Sequence, residues 1–285
     1  DRHTARAALS ALLLLVLLAP APALAKKKVE EAPPAEEALP AAADLFARNV
    51  EAMGGEAAIR APRNQYARGT ISIPLQGLTM TLELWAEAPD RMFTSMEMPG
   101  LGVFQSGYDG AVGWGADPMS GASLQDAAEL IQSRRDADFY GDVNYATKYE
   151  RMETVGRVQW GAYKAYKVHV VTPEGQEETQ YFDQDTGLKV GSERMTETEM
   201  GPMPVRVTCD QHKVFSGITV ASRCTEATGP IEGVIVFESF QFDSADFAFP
   251  PLPEAVQALV DEQNAASAEP PPASDEPPPP TDQPE

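Results

Sequence analysis

The apolar period of this chain changes along its length, and each change marks a change of element. Across residues 43–61 (ADLFARNVEAMGGEAAIRA), Leu45, Phe46, Val50 and Met53 form a one-sided stripe at helical spacing. Gly54-Gly55 then ends that helix, and a short helical turn follows. From Tyr66 the period becomes two. Ile71, Ile73 and Leu75 alternate with Thr70, Ser72 and Pro74, and Leu78, Met80, Leu82 and Leu84 alternate with Thr79, Thr81, Glu83 and Trp85. Met92, Thr94, Met96 and Met98 share one face of the next strand. Pro89-Asp90, Pro99-Gly100 and Asp109-Gly110 read as turns. One helix interrupts the alternation. Ser123 is its expected cap, and Leu124, Ala127, Ala128 and Ile131 carry the helical spacing to about Arg135. Strands resume at 149–158, 161–172, 176–183, 188–198, 203–214, 218–227 and 231–243. Short turns between neighbours make them antiparallel. The expected fold class is therefore α+β, mostly antiparallel β, with about eleven strands. So many strands curl into a partial or full barrel rather than staying flat.

The two ends of the chain follow neither period. Residues 1–25 (DRHTARAALSALLLLVLLAPAPALA) place Arg2 and Arg6 before an apolar run, with Ala23-Leu24-Ala25 as an A-x-A cleavage site. The run is shorter than the ~20 residues that span a bilayer. The expectation is an exported chain, periplasmic or secreted, cleaved after Ala25. Residues 26–42 are rich in Lys, Glu, Pro and Ala, and residues 264–285 hold proline runs and acids without an aromatic. Neither can bury enough apolar area to offset ordering entropy. The organisation expected is a signal segment 1–25, a disordered linker 26–42, one domain over 43–252 and an acidic Pro-rich tail over 253–285. A formal charge of −21 excludes a nucleic-acid binder and repels anionic headgroups.

Cys209 and Cys224 are the only cysteines. If Ser216-Gly217 centres the turn between their strands, the two stand directly opposite each other. In an exported chain they are expected to pair, closing a loop of about 16 residues worth roughly 3 kcal/mol.

Catalytic constellations are weak. His169 and His212 lack a second histidine or cysteine at metal-ligand spacing, so no metal site is expected. Ser106 lacks the G-x-S-x-G elbow. Asp183-Gln184-Asp185-Thr186-Gly187 superficially resembles an aspartyl-phosphate signature, but it joins two alternating strands and reads as a hairpin turn. Glu197 and Glu199 fit a solvated strand face better than an acid–base pair. No phosphate loop is present. The expectation is a non-enzyme without cofactor.

The positive signal is apolar. Leu78, Met80, Leu82, Leu84, Met92, Met96 and Met98 share the inward face of adjacent early strands. Methionine fills irregular space and adapts to varied apolar ligands, so this face is the candidate lining of an acyl-chain cavity. The alternative is an ordinary core packed under the 43–61 helix.

The string Tyr108-Asp109-Gly110, Gly113-Trp114 and Asp117-Pro118-Met119 resembles exported bacterial proteins of the outer-membrane lipoprotein-sorting type, the relatives of LolA and LolB. Gly54-Gly55, Ala88-Pro89-Asp90, Phe182-Asp183 with Asp185-Thr186-Gly187-Leu188, and Asp246-Phe247-Ala248-Phe249-Pro250 extend the resemblance over about residues 43–252. It implies a half-barrel of about eleven strands with helices covering the concave face. It further implies a carrier for lipids or for the acyl chains of lipoproteins, with possible peripheral contact with envelope membrane proteins. The alternative function is an envelope protein-interaction or stress-sensing module with the same fold and a filled core.

Overall fold

A computed structural model describes residues 38–196 and 202–268. The expected signal segment, most of the linker, Glu197, Glu199 and the last 17 residues of the chain lie outside the described residues. Period-two alternation produces thirteen antiparallel strands in a single open sheet. They are β1 (Asn64–Ile73), β2 (Leu78–Glu87), β3 (Arg91–Met98), β4 (Gly102–Tyr108), β5 (Gly113–Asp117), β6 (Gly121–Leu124), β7 (Arg151–Trp160), β8 (Tyr163–Val171), β9 (Glu177–Asp183), β10 (Lys189–Thr196), β11 (Met203–Phe215), β12 (Ile218–Thr228) and β13 (Ile231–Phe242). The sheet order is β6-β5-β4-β3-β2-β1-β13-β12-β11-β10-β9-β8-β7, so β6 and β7 are its two edges. Two meanders therefore meet where β1 pairs with β13.

The strand count exceeds the eleven expected, partly because Ser123 does not cap a helix. It lies in β6, paired with Gly115. The cap is Asp126, which accepts from the N–H groups of Ala128 and Glu129, while the Glu129 side chain accepts from Asp126 N–H. This capping box starts α3 (Ala127–Ala137). A capping oxygen accepts from the N–H groups two and three residues on, and those after Ser123 are taken: Gln125 N–H donates to Gly113 O and Asp126 N–H to Glu129 Oε2.

The helix α1 (Ala42–Ala52) and the short α2 (Glu56–Arg60) follow the expected stripe. Leu45 and Phe46 are buried against Tyr149, Val168, Val170 and Phe182, and Val50 and Ile59 pack with Ile218. Asn49, itself buried, accepts from Lys189 N–H at 2.7 Å, and Thr219 N–H donates to Met53 O at 2.8 Å. Gly54 is required here: its φ is +122°, and the Gly217 carbonyl occupies the space a Cβ would need. These bonds hold α1 and α2 against the β9–β10 and β11–β12 turns, stoppering one end of the half-barrel.

The connection from β6 to β7 runs between the two edges of the sheet, through α3 and the short α4 (Tyr145–Lys148). On one side a Cβ at Gly113 of β5 would meet Leu130 Cδ1 at 3.0 Å, so a glycine there lets α3 lie close. On the other, Arg135 donates to Gln176 Oε1 and to Glu178 Oε1 of β9, each at 2.6 Å. β5 and β9 stand nine places apart in the sheet. Nine spacings of a flat sheet would be about 43 Å, whereas an 11-residue helix is about 16 Å long. The sheet must curl for one helix to reach both, which makes it a half-barrel with helices on its concave face.

The packed chain ends later than the sequence suggested. Residues expected to begin the tail form α5 (Glu254–Ala268). Val256 is fully buried with Phe93 and Trp114, flanked by Trp85, Phe249, Leu252 and Val260. Trp85, Phe93 and Trp114 project to the face opposite the one α1 covers. Val256 and Val260 are spaced to share a helix face, a signal outweighed at the sequence level by the proline-rich composition downstream.

Cys209 and Cys224 are register partners in the β11–β12 hairpin and form the disulfide, as expected. Reduction should lower the melting temperature by about 6–12 °C in a scanning-calorimetry comparison, from roughly 3 kcal/mol of lost chain constraint. Val256→Asp should release α5 alone. Hydrogen exchange would then show amides 254–268 unprotected while β8 and β9 keep their protection.

Candidate functional site

The register places all seven expected lining residues on one face. Leu82 pairs with Met96, Leu84 with Thr94 and Ala86 with Met92, so the even positions of β2 and β3 share the concave side. Ile71 and Gly69 of β1 face the same way through their pairs with Met80 and Leu82, and Ile235 and Phe237 of β13 join them through β1. Met80 and Leu82 are buried, whereas Leu78, Leu84, Met92, Met96 and Met98 are half-buried. The 43–61 helix was the expected cover for this face. Its buried partners are instead the β8, β9 and β12 residues named above. The physical reason is register: α1 is tied to the β9–β10 turn by Arg48, which donates to the carbonyls of Gln184 and Asp185, and this draws it to the late-strand half.

The concave face is thus divided. The early strands and β13 supply an aliphatic and aromatic half. The late strands carry the apolar cluster under α1 and, beside it toward α3 and α4, a group of charged and polar side chains. There Lys189 Nζ lies 3.1 Å from Asp142 Oδ1 and holds that carboxyl below the ordinary carboxylate range. Burial, reinforced by the charge of Lys189, draws the Lys148 ammonium below the usual lysine value. Burial pushes the Tyr149 hydroxyl up to about 12, and Gln180 Nε2 donates to it at 3.2 Å. Between α3 and β9–β10 runs a cleft of about 760 Å³, lined among others by Gln125, Glu129, Gln132, Glu178, Arg194 and Met195. Its volume lies in the range of small-molecule sites. A smaller pocket of about 260 Å³ lies beside it, with Arg134, Arg135 and Lys148 in its wall. None of these cleft residues was legible in the sequence, because their shared feature is position under α3 rather than spacing along the chain.

The residues set aside on sequence grounds behave as structural parts. Asp183 accepts from the Thr186 N–H at 2.9 Å and hydroxyl at 2.7 Å, which makes the DQDTG segment a side-chain-stabilised turn. His169 projects away from Val168 and Val170, with its Nε2 3.9 Å from Glu177 Oε2. Burial lowers the pKa of His212. Among the described residues no group of three His, Cys, Asp or Glu side chains is arranged to hold a metal.

Arg135 and Glu178 form an ion pair with side chains only 11% and 12% exposed. Breaking such a pair leaves one charge uncompensated. Arg135→Ala should cost about 3 kcal/mol in urea unfolding, and adding Glu178→Gln should recover part of that loss.

No protein-family model matches the sequence, and no curated protein is similar enough to match. Among solved structures, a DUF1329 family protein from Desulfovibrio piger ATCC 29098 superposes with a TM-score of 0.50 at 9% identity, over 74% of this chain and 96% of that one. A LolA superfamily protein from Nitrosomonas europaea gives 0.48 at 9% identity, over 74% and 96%. A protein described as a putative outer membrane lipoprotein-sorting protein domain from Vibrio parahaemolyticus gives 0.48 at 10%, over 72% and 94%. At these identities the likeness is one of fold: the chain has the architecture of the Desulfovibrio piger DUF1329 protein.

Proposed function

We propose that this protein is exported and binds lipids, or the acyl chains of acylated proteins, on the apolar half of its concave face, without catalysis. The observation that carries this reading is the gathering of Leu78, Leu84, Met92, Met96 and Met98 on one inward face, where they remain half-buried. An acyl chain laid along this face would gain about 0.8 kcal/mol per buried methylene. Methionine suits the task because its flexible thioether can follow chains of different length and saturation. The cleft between α3 and β9–β10 offers polar side chains to a headgroup or a peptide. Release requires the α3 strap to move, and its ion pair to Glu178 is the contact that motion would break. The acyl-chain role implied by the resemblance to LolA and LolB agrees with this reading. The disulfide suits an oxidising compartment outside the cytoplasm.

The protein purified from a periplasm without detergent should carry lipid of defined mass in native mass spectrometry, recoverable by organic extraction. Met96→Asp should abolish that adduct while leaving the near-ultraviolet circular dichroism unchanged. A wild-type protein that stays free of ligand after incubation with phospholipid and acylated peptide would instead assign the fold to a protein-interaction module with a filled core.

A further inference from the structure

Strands that alternate in direction send alternate turns to the same end of a sheet. The β1–β2, β3–β4, β5–β6 and β12–β13 connections all lie at the end opposite the α1–α2 stopper. The sheet order makes these four turns successive neighbours along one arc of the rim. Their sequences are alike in kind: Pro74-Leu75-Gln76-Gly77, Pro99-Gly100-Leu101, Pro118-Met119-Ser120 and Gly229-Pro230-Ile231. None contains a charged residue, in a chain that is 23% charged. Each presents one large aliphatic side chain to solvent. Leu75 is 76% exposed, Leu101 51%, Met119 74% and Ile231 44%. Isolated exposed aliphatics are ordinary, but one at the tip of each of four adjacent turns is a pattern.

At the opposite end the β2–β3, β4–β5 and β9–β10 turns carry Asp90, Asp109 and Asp185, and Asp243 follows β13, while the β7–β8 and β11–β12 turns are uncharged and Val214 beside the latter is exposed. Along the chain, the charges that flank these turns are Glu97, Asp117 and Glu232. Asp117 is engaged by the N–H groups of Met119 and Ser120, each at 2.8 Å. Farther round the rim, Glu174 marks the β8–β9 turn, and the β10–β11 connection lies outside the described residues. The arc is also stiff. Proline occurs in every turn, and a Cβ at Gly102 would lie 2.8 Å from Pro118 Cγ, so two of the neighbouring turns pack on each other.

We infer that this arc is a contact surface for a lipid bilayer with zwitterionic headgroups, entered by the tips of Leu75, Leu101, Met119 and Ile231. Four aliphatic tips spread along the rim of a curved sheet suit an extended surface such as a membrane better than a small convex protein. An uncharged arc on a chain of charge −21 can approach neutral headgroups without the repulsion that an anionic surface would exert. Leu78 and Met98, at the strand ends beside the arc, begin the apolar face described above. The inference goes beyond ligand binding and does not require it.

The test is flotation of the full chain with phosphatidylcholine vesicles at low and physiological salt. Wild-type protein should float with these vesicles, and less with phosphatidylglycerol vesicles at low salt. Combining Leu75→Ser, Leu101→Ser, Met119→Ser and Ile231→Ser should reduce binding at least about tenfold. Leu75→Glu and Met119→Glu, at the two most exposed tips, should each weaken it without affecting the melting temperature. Met96→Asp should still bind vesicles, which separates this inference from the cavity reading. Wild-type protein that ignores phosphatidylcholine, or a Ser variant that binds as well as wild type, would overturn the inference. So would sedimentation showing a wild-type dimer that the Ser variant dissolves, since the arc would then join two copies of this chain.

Discussion

The curl of the open sheet is the constraint on which the rest of this molecule depends, and α3 holds it. A thirteen-stranded antiparallel sheet with free edges has no ladder bond to close it. The chain solves this by running its longest crossover from one edge strand to the other over the concave face. Gly113 lets α3 settle on β5, and the buried pairing of Arg135 with Glu178 and Gln176 fixes it to β9. Concavity, the division of the inner face into halves and the cleft beneath α3 all follow from that span. The ion pair adds less net stability than its short distances suggest, because both charges lose hydration on burial. Its contribution is to fix where the strap sits.

Burial is correspondingly uneven. The α1 helix and the aromatic group of Phe46, Tyr145, Tyr149 and Phe182 fill the late-strand half, with ring centroids 4.9–5.6 Å apart. The outer face is packed at both ends of the sheet, by α5 on Phe93 and Trp114 and by Trp160 stacked on Tyr181. The early-strand half of the inner face is left with side chains that are apolar but only half-buried. A stability-driven design would fill that space, and a face that receives an apolar ligand leaves it available.

The same polarity runs along the barrel axis. One end is stoppered by α1 and α2, edged with aspartates, and tied by backbone bonds such as Thr219 N–H to Met53 O. The early-strand arc of the other end carries uncharged proline-containing turns with aliphatic tips. A ligand path from rim to inner face would cross few charges, and the acidic remainder of the surface would keep the chain dispersed in water.

The sequence by itself determined the elements, their order and one covalent link. Strict alternation from Leu78 to Leu84 set which side chains share a face, because the pleat has period two whatever the sheet does globally. Leu75, which continued the alternation of Ile71 and Ile73, lies instead in the turn before β2. The symmetry of Cys209 and Cys224 about Ser216-Gly217 set their pairing, because a hairpin's register follows from its turn. The tertiary structure decided everything that depends on distant parts meeting. Ser123 read as a cap until the edge ladder with Gly115 took its backbone. Val256 read as the start of a tail until Phe93 and Trp114 supplied an apolar surface. The 43–61 helix read as the lid of the early strands until Arg48 and Asn49 found the β9–β10 turn. Local spacing encodes which way a side chain points. What it meets there depends on how far thirteen strands bend, and that is set by contacts between residues far apart in the chain.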